Sequence, residues 1–88
     1  MGISDEDRNA FHNQADRISG ELSATEANRE DGDRSVTSVF FDLDENDEAV
    51  MVTVKVLPRH RFLVKTPDRR VRTTRRDEAI EAARNALP

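Results

Sequence analysis

The sequence predicts an α+β domain in which a helix, an antiparallel sheet of three to four strands and a second helix follow one another, α-β-β-β-(β)-α. Three features point to it. Apolar residues recur at helical spacing near both ends; between residues 36 and 66 they alternate with period two; and short polar turns separate the alternating segments, as antiparallel neighbours require. With 88 residues, the chain is expected to form one domain over 1–88, burying roughly 60% of the surface exposed when unfolded.

The first helix begins at Ser4, whose hydroxyl can accept from an orphan backbone N–H. Asp5, Glu6 and Asp7 then suit the positive end of the helix dipole. Phe11, Ala15, Ile18 and Leu22, spaced by 4, 3 and 4, form one narrow apolar stripe. Gly20 weakens the helix by about 1 kcal/mol relative to Ala, and Ser23-Ala24-Thr25-Glu26 has the form of a second capping box. The expected organisation is an acidic N-terminal helix over 1–29, a linker over 30–34, a sheet over 35–73 and a C-terminal helix over 74–88.

Strands are expected at Val36 to Leu43, Ala49 to Leu57 and Arg61 to Thr66, with Asp44-Glu45-Asn46-Asp47-Glu48 and Pro58-Arg59-His60-Arg61 as the turns between them. After Pro67-Asp68-Arg69, Arg70 to Thr73 can add a short fourth strand whose charge suits a sheet edge. The last helix is expected to start at Thr74, with Asp77 as a partial capping box, and to present Ala79, Ile80, Ala83 and Leu87 on one face.

Alternation divides the strands into two sets. Val39, Phe41, Leu43, Val50, Val52, Val54, Val56, Phe62, Val64 and Val71 are assigned to the core. The opposite set, Val36, Ser38, Phe40, Met51, Thr53, Lys55, Leu57, Leu63, Lys65, Arg70 and Arg72, mixes large apolar with basic residues. If both helices cover the first set, Val36, Phe40, Met51, Leu57 and Leu63 are left as an apolar patch of the kind that binds a protein partner or a second copy. One helix on each face would instead make that patch ordinary core.

The net charge of −4 conceals an asymmetry. Residues 1–48 carry 14 acids and 4 bases, whereas residues 49–88 carry 4 acids and 10 bases. Arg59, Arg61, Lys65, Arg69, Arg70, Arg72, Arg75 and Arg76 form the basic cluster, which suits phosphate and makes nucleic acid the alternative partner. A basic half can equally neutralise the acidic one within the fold.

Catalytic chemistry is sparsely provided for. Cys and Tyr are absent, and Gly2, Gly20 and Gly32 build neither a phosphate loop nor a nucleophile elbow. His12 and His60 have no second ligand at metal spacing. Asp42, Asp44, Asn46 and Glu48 start like a calcium loop, but Asp47 and Thr53 stand where its Gly and closing Glu belong. The expectation is therefore a non-enzyme that uses no cofactor or metal. No stretch is apolar enough to span a membrane, and the start Met1-Gly2-Ile3-Ser4-Asp5-Glu6-Asp7 lacks secretion and myristoylation signals, so a cytoplasmic location is expected. Twelve Arg against two Lys hint at coding bias or a halophilic setting, and the size and charge would also fit a viral or host-regulatory protein.

Thr74-Arg75-Arg76 followed by Ala82-Ala83-Arg84-Asn85-Ala86-Leu87 resembles the closing Ser-Lys-Lys…Ala-Ala-x-x-Ala-Leu helix of the double-stranded RNA-binding domain, whose helix-strand-strand-strand-helix order is also similar. The resemblance implies that fold and RNA binding. The family's third basic residue falls on Ala79, however, and its groove-entering loop falls on Asp44 to Glu48, where four carboxylates repel phosphate. Thr73 to Arg84 is similar, too, to helices of small bacterial domains and of phage-integrase arm-binding domains.

Overall fold

Ser4 caps the first helix as its position suggests, its Oγ accepting from the Asp7 N–H at 3.2 Å. The structure, a computed structural model, describes residues 4–88; Met1–Ile3, on which the reading of leader and lipidation signals partly rests, lies outside the described residues. The elements are α1 (Asp5–Glu21), β1 (Thr25–Asp31), β2 (Val36–Leu43), β3 (Ala49–Leu57), β4 (Arg61–Lys65), β5 (Arg70–Thr73) and α2 (Arg76–Ala86). All neighbouring strands are antiparallel, and their order in the sheet is their order in the chain. The helix-sheet-helix α+β architecture is thus the one expected, with the fourth strand present as β5 and a fifth, β1, added at the other edge.

Strand β1 corrects the reading of residues 1–29 as helix and 30–34 as linker. Its sequence, Thr-Glu-Ala-Asn-Arg-Glu-Asp, has no apolar alternation because the alternation is carried by charge. Glu26, Arg29 and Asp31 lie in register with the core residues Phe40, Ser38 and Val36 of β2, and so face the helices. There Arg29 holds Glu26 through two bonds of 2.7 and 3.0 Å and reaches Asp16 of α1 at 2.7 Å. Asp31 receives His12 Nε2 at 2.6 Å and Arg8 at 3.2 Å. Since a guanidinium can only donate, the 3.3 Å contact from Arg29 makes His12 Nδ1 the acceptor and leaves the ring proton on Nε2, facing Asp31. The hydrogen bonding of Arg29 to the accepting Glu26 carboxylate raises the Arg29 pKa, desolvation opposes it, and Asp16 adds to the rise. Charge pairing thus fastens α1 over β1, where apolar residues fasten it elsewhere. Gly32 closes the turn into β2, its N–H donating to the Ser35 carbonyl at 2.8 Å; a Cβ there would meet Ser35 Oγ at 2.7 Å.

Both helices cover the same face. Ala15, Ile18 and Leu22 of α1 and Ala79, Ile80, Ala82 and Ala83 of α2 join one core with Val36, Phe40, Val52, Val54, Val56, Phe62 and Val64. This excludes the arrangement with one helix on each side. The α1 stripe is the expected one, with Phe11 only partly buried. In α2 the buried alanines carry nothing beyond Cβ and let the helix lie close to the sheet, while Val71 and Leu87 pack at the margin. Full burial of each Val, Ile or Phe contributes about 1.5–3 kcal/mol.

The register of β2 overturns half of the face assignment. Val36, Ser38 and Phe40 pair with Val56, Val54 and Val52 and share their face, so Val36 and Phe40 are fully buried. Neither belongs to an exposed patch. Val39, Phe41 and Leu43, expected in the core, pair with Thr53, Met51 and Ala49 on the opposite side. Ser38 Oγ sits within the core without a hydrogen-bond partner among the described residues, a local cost of about 1–3 kcal/mol.

Two boundaries have local causes. Helix α2 starts at Arg76 rather than Thr74. Thr73, held in β5 opposite Phe62, is the residue whose hydroxyl reaches the first turn, accepting from the Arg75 N–H at 3.1 Å and donating to Glu78 at 2.7 Å. Between β3 and β4, Arg59 (φ 64°) and His60 (φ 54°) are both left-handed, as a tight hairpin turn demands. Without glycine, that conformation costs roughly 1–2 kcal/mol per residue.

Candidate functional site

The face turned away from the helices is open, and the register assigns its residues row by row. At one end Leu43 and Ala49 lie side by side, followed by Phe41 and Met51. The next two rows run Asn28, Val39, Thr53, Lys65, Arg70 and Glu30, Thr37, Lys55, Leu63, Arg72, and Leu57 with Arg61 closes the other end. Met51 is 54% and Leu43 51% exposed, the two large apolar side chains most open to solvent among the described residues. Val39, Phe41, Leu57 and Leu63 are half-buried. Of the five residues expected to bind protein, Met51, Leu57 and Leu63 lie on this face, whereas Val36 and Phe40 lie beneath it. Val39, Phe41 and Leu43 take their place.

The pairing of β4 stops at Thr53, so the part of the β2–β3 hairpin beyond that row projects as an arm flanked only by β1. The arm presents Phe41, Leu43 and Met51 on the open face and ends in the loop Asp44 to Glu48, with Asp47 left-handed at φ 60°. Asp44 Oδ1 organises that loop by accepting from the N–H groups of Asn46 at 2.8 Å and Glu48 at 3.0 Å. The oxygen that a calcium loop would turn to a cation is thus bound to the backbone. Among the described residues no three His or carboxylate side chains gather as metal ligands.

The basic residues fall into separate groups. Arg61, Lys65, Arg70 and Arg72 lie on the open face, and Lys55, outside the expected basic cluster, joins them there. Leu57, Arg61, Leu63 and Arg72 line a depression of about 430 Å³ there. Arg59 and Arg69 stand in the turns at the two ends of β4. Arg75 and Arg76 lie on the helix side, in a groove of about 990 Å³ between α1 and α2 that also holds Arg17 and Arg84. Most of that groove is locally engaged: Arg75 pairs with Asp77 at 3.1 Å, Arg76 reaches Gln14 at 3.0 Å, and Arg84 donates to the Glu21 carbonyl at 2.9 Å. By contrast, Lys55, Arg61, Lys65, Arg70 and Arg72 have no ion-pair partner among the described residues, nor do Asp44, Glu45, Asp47 and Glu48 at the tip of the arm.

The domain is therefore a two-layer α+β unit with an uncovered, apolar and cationic sheet face. No helix among the described residues is long and apolar enough to cross a membrane. No family model matches the chain, and neither a curated protein nor a solved structure is significantly similar to it.

Proposed function

We propose that the chain is a non-catalytic interaction module that binds protein through the helix-free face of its sheet. The observation that supports this most is a coincidence on one surface: exposed Met51 and Leu43, half-buried Val39, Phe41, Leu57 and Leu63, and five cations without an ion-pair partner among the described residues. Apolar side chains gathered in this way lose solvent contact on association, and arginines beside them provide bidentate contacts at the rim. His12 is bound up with Asp31 and Arg29 while His60 sits in the turn after β3, so the two histidines serve no common site.

A second reading rests on the same cations. Lys55, Arg61, Lys65, Arg70 and Arg72 gather on one end of the face that also carries Phe41, so that phosphates could pair with the cations and a base stack on the ring. The acidic tip of the arm lies at the far end of that face and opposes a polyanion laid along it, which favours protein.

One experiment tests both readings. The tagged full chain and its Met51→Asp and Leu63→Asp variants are used for capture from source lysate, with and without nuclease. The expected result is protein retained by the wild type after nuclease and lost from both variants, their far-ultraviolet circular dichroism being unchanged. Retention by the folded variants would show that the face is not the contact; retention abolished by nuclease would transfer the reading to nucleic acid.

A further inference from the structure

We propose that the occupant of the open face is a second copy of this chain, packed face to face about a two-fold axis, with the acidic arm of each copy over the basic end of the other. This rests on the reading of the face as a protein contact and names the partner.

The two charge groups lie at opposite ends of one surface. The arm carries Asp44, Glu45, Asp47 and Glu48 beyond the Leu43–Ala49 row, while Lys55, Lys65, Arg61, Arg70 and Arg72 occupy the rows from Thr53 to Leu57 toward β5. Neither group can reach the other within one chain, and neither is paired among the described residues. Elsewhere the molecule does pair its charges, as the network of Arg8, His12, Asp16, Glu26, Arg29 and Asp31 shows. A two-fold axis lying in the plane of the face, between arm and basic end, exchanges those ends. It brings Val39, Phe41 and Met51 of one copy against the same residues of the other. The surface is thereby self-complementary, as an isologous contact must be, with the apolar residues central and opposite charges at both rims. Five strands about 4.8 Å apart and residues rising about 3.4 Å each give a face of roughly 20 by 30 Å. That is of the order of the ~800 Å² a standard interface takes from each partner.

The test is light scattering on the purified full chain over a range of concentrations, with two charge-reversed forms. One is Arg70→Glu/Arg72→Glu and the other is Glu45→Lys/Glu48→Lys. The wild type is expected to reach twice the 10.0 kDa of one chain, and to dissociate as salt screens the rim charges. Each reversed form places like charges together at both rims of its own dimer, and is expected to stay at the mass of one chain. An equimolar mixture of the two restores opposite charges at both rims, and the doubled mass is expected to return. A wild type that stays single at every concentration, reversed forms that pair like the wild type, or a mixture that fails to pair while both forms remain folded would each overturn the proposal. If the single chain still captures another protein through Met51 and Leu63, the face remains a protein contact and only the second copy is excluded. If a mixed-sequence single-stranded oligonucleotide binds the single chain and is lost with Arg70→Glu/Arg72→Glu, nucleic acid replaces the second copy.

Discussion

Phe40→Ala is expected to remove about 3–5 kcal/mol of folding stability, whereas Phe41→Ala, one residue along, costs about 1 kcal/mol or less. Phe40 is the largest of the fully buried side chains, lying beside Val52 across the strand in β2, the strand that α1 covers, and its removal leaves a cavity that close-packed neighbours cannot fill. Phe41 points to the opposite side, beside Met51, and is only half-buried. For a chain of 88 residues the total stability is of the order of 4–13 kcal/mol, so the first substitution consumes much of it. Urea unfolding followed by circular dichroism separates the two. A midpoint lowered sharply for Phe40→Ala alone is the expected pattern; equal losses, or the larger loss at Phe41, would mean that β2 faces the other way.

Ile18→Ala is expected to cost about 2–5 kcal/mol, and Gly20→Ala, two residues further along α1, to stabilise by up to about 1 kcal/mol. Ile18 is completely buried in the core that α1 shares with the sheet. Gly20 lies on the exposed side of the same helix, and a Cβ added there has nothing within 4 Å to displace. Alanine thus gains helix propensity without a clash. Each kcal/mol shifts the melting temperature of a domain this size by roughly 4–8 °C, so thermal unfolding resolves opposite shifts. Gly20→Ala lowering the midpoint would show that residue 20 is packed rather than exposed.

Much of this fold is legible in the sequence because apolar periodicity carries it. The stripes of α1 and α2 and the runs of β3 and β4 place their residues where the structure has them. Strand β1 escapes that reading for a physical reason: its inward side chains are Glu26, Arg29 and Asp31, and while Glu26 pairs with Arg29 along the strand, the partners that fasten Arg29 and Asp31, namely Arg8, His12 and Asp16, lie on α1. Charge complementarity between elements leaves no local period in hydropathy. In β2 both alternating sets are apolar, and the one with more carbon, Val39-Phe41-Leu43, is the outward one.

The deciding signal for β2 is the length of the loop. Five residues, Asp44 to Glu48, between the pair Leu43–Ala49 make every cross-strand partner of an even-numbered residue even-numbered. Phe40 must then share a face with Val52 and Val54. Half of the candidate site follows from this parity, since it exchanges Val36 and Phe40 for Val39, Phe41 and Leu43 while leaving Met51, Leu57 and Leu63 outward. The basic cluster splits for a related reason: sequence proximity joins Arg72 to Arg75 and Arg76, but the chain leaves the sheet after Thr73, and the later arginines cross to the helix side.

The most direct test of the central claim is hydroxyl-radical footprinting of the intact chain, read by mass spectrometry as protein concentration is raised. In dilute solution Met51, Leu43 and Phe41 should be modified while Phe40 and Phe62 are spared, and at high concentration the modification of Met51 and Phe41 should fall. Modification of Phe40 in place of Phe41 in dilute solution, or a Met51 signal that stays constant at every concentration, would contradict it.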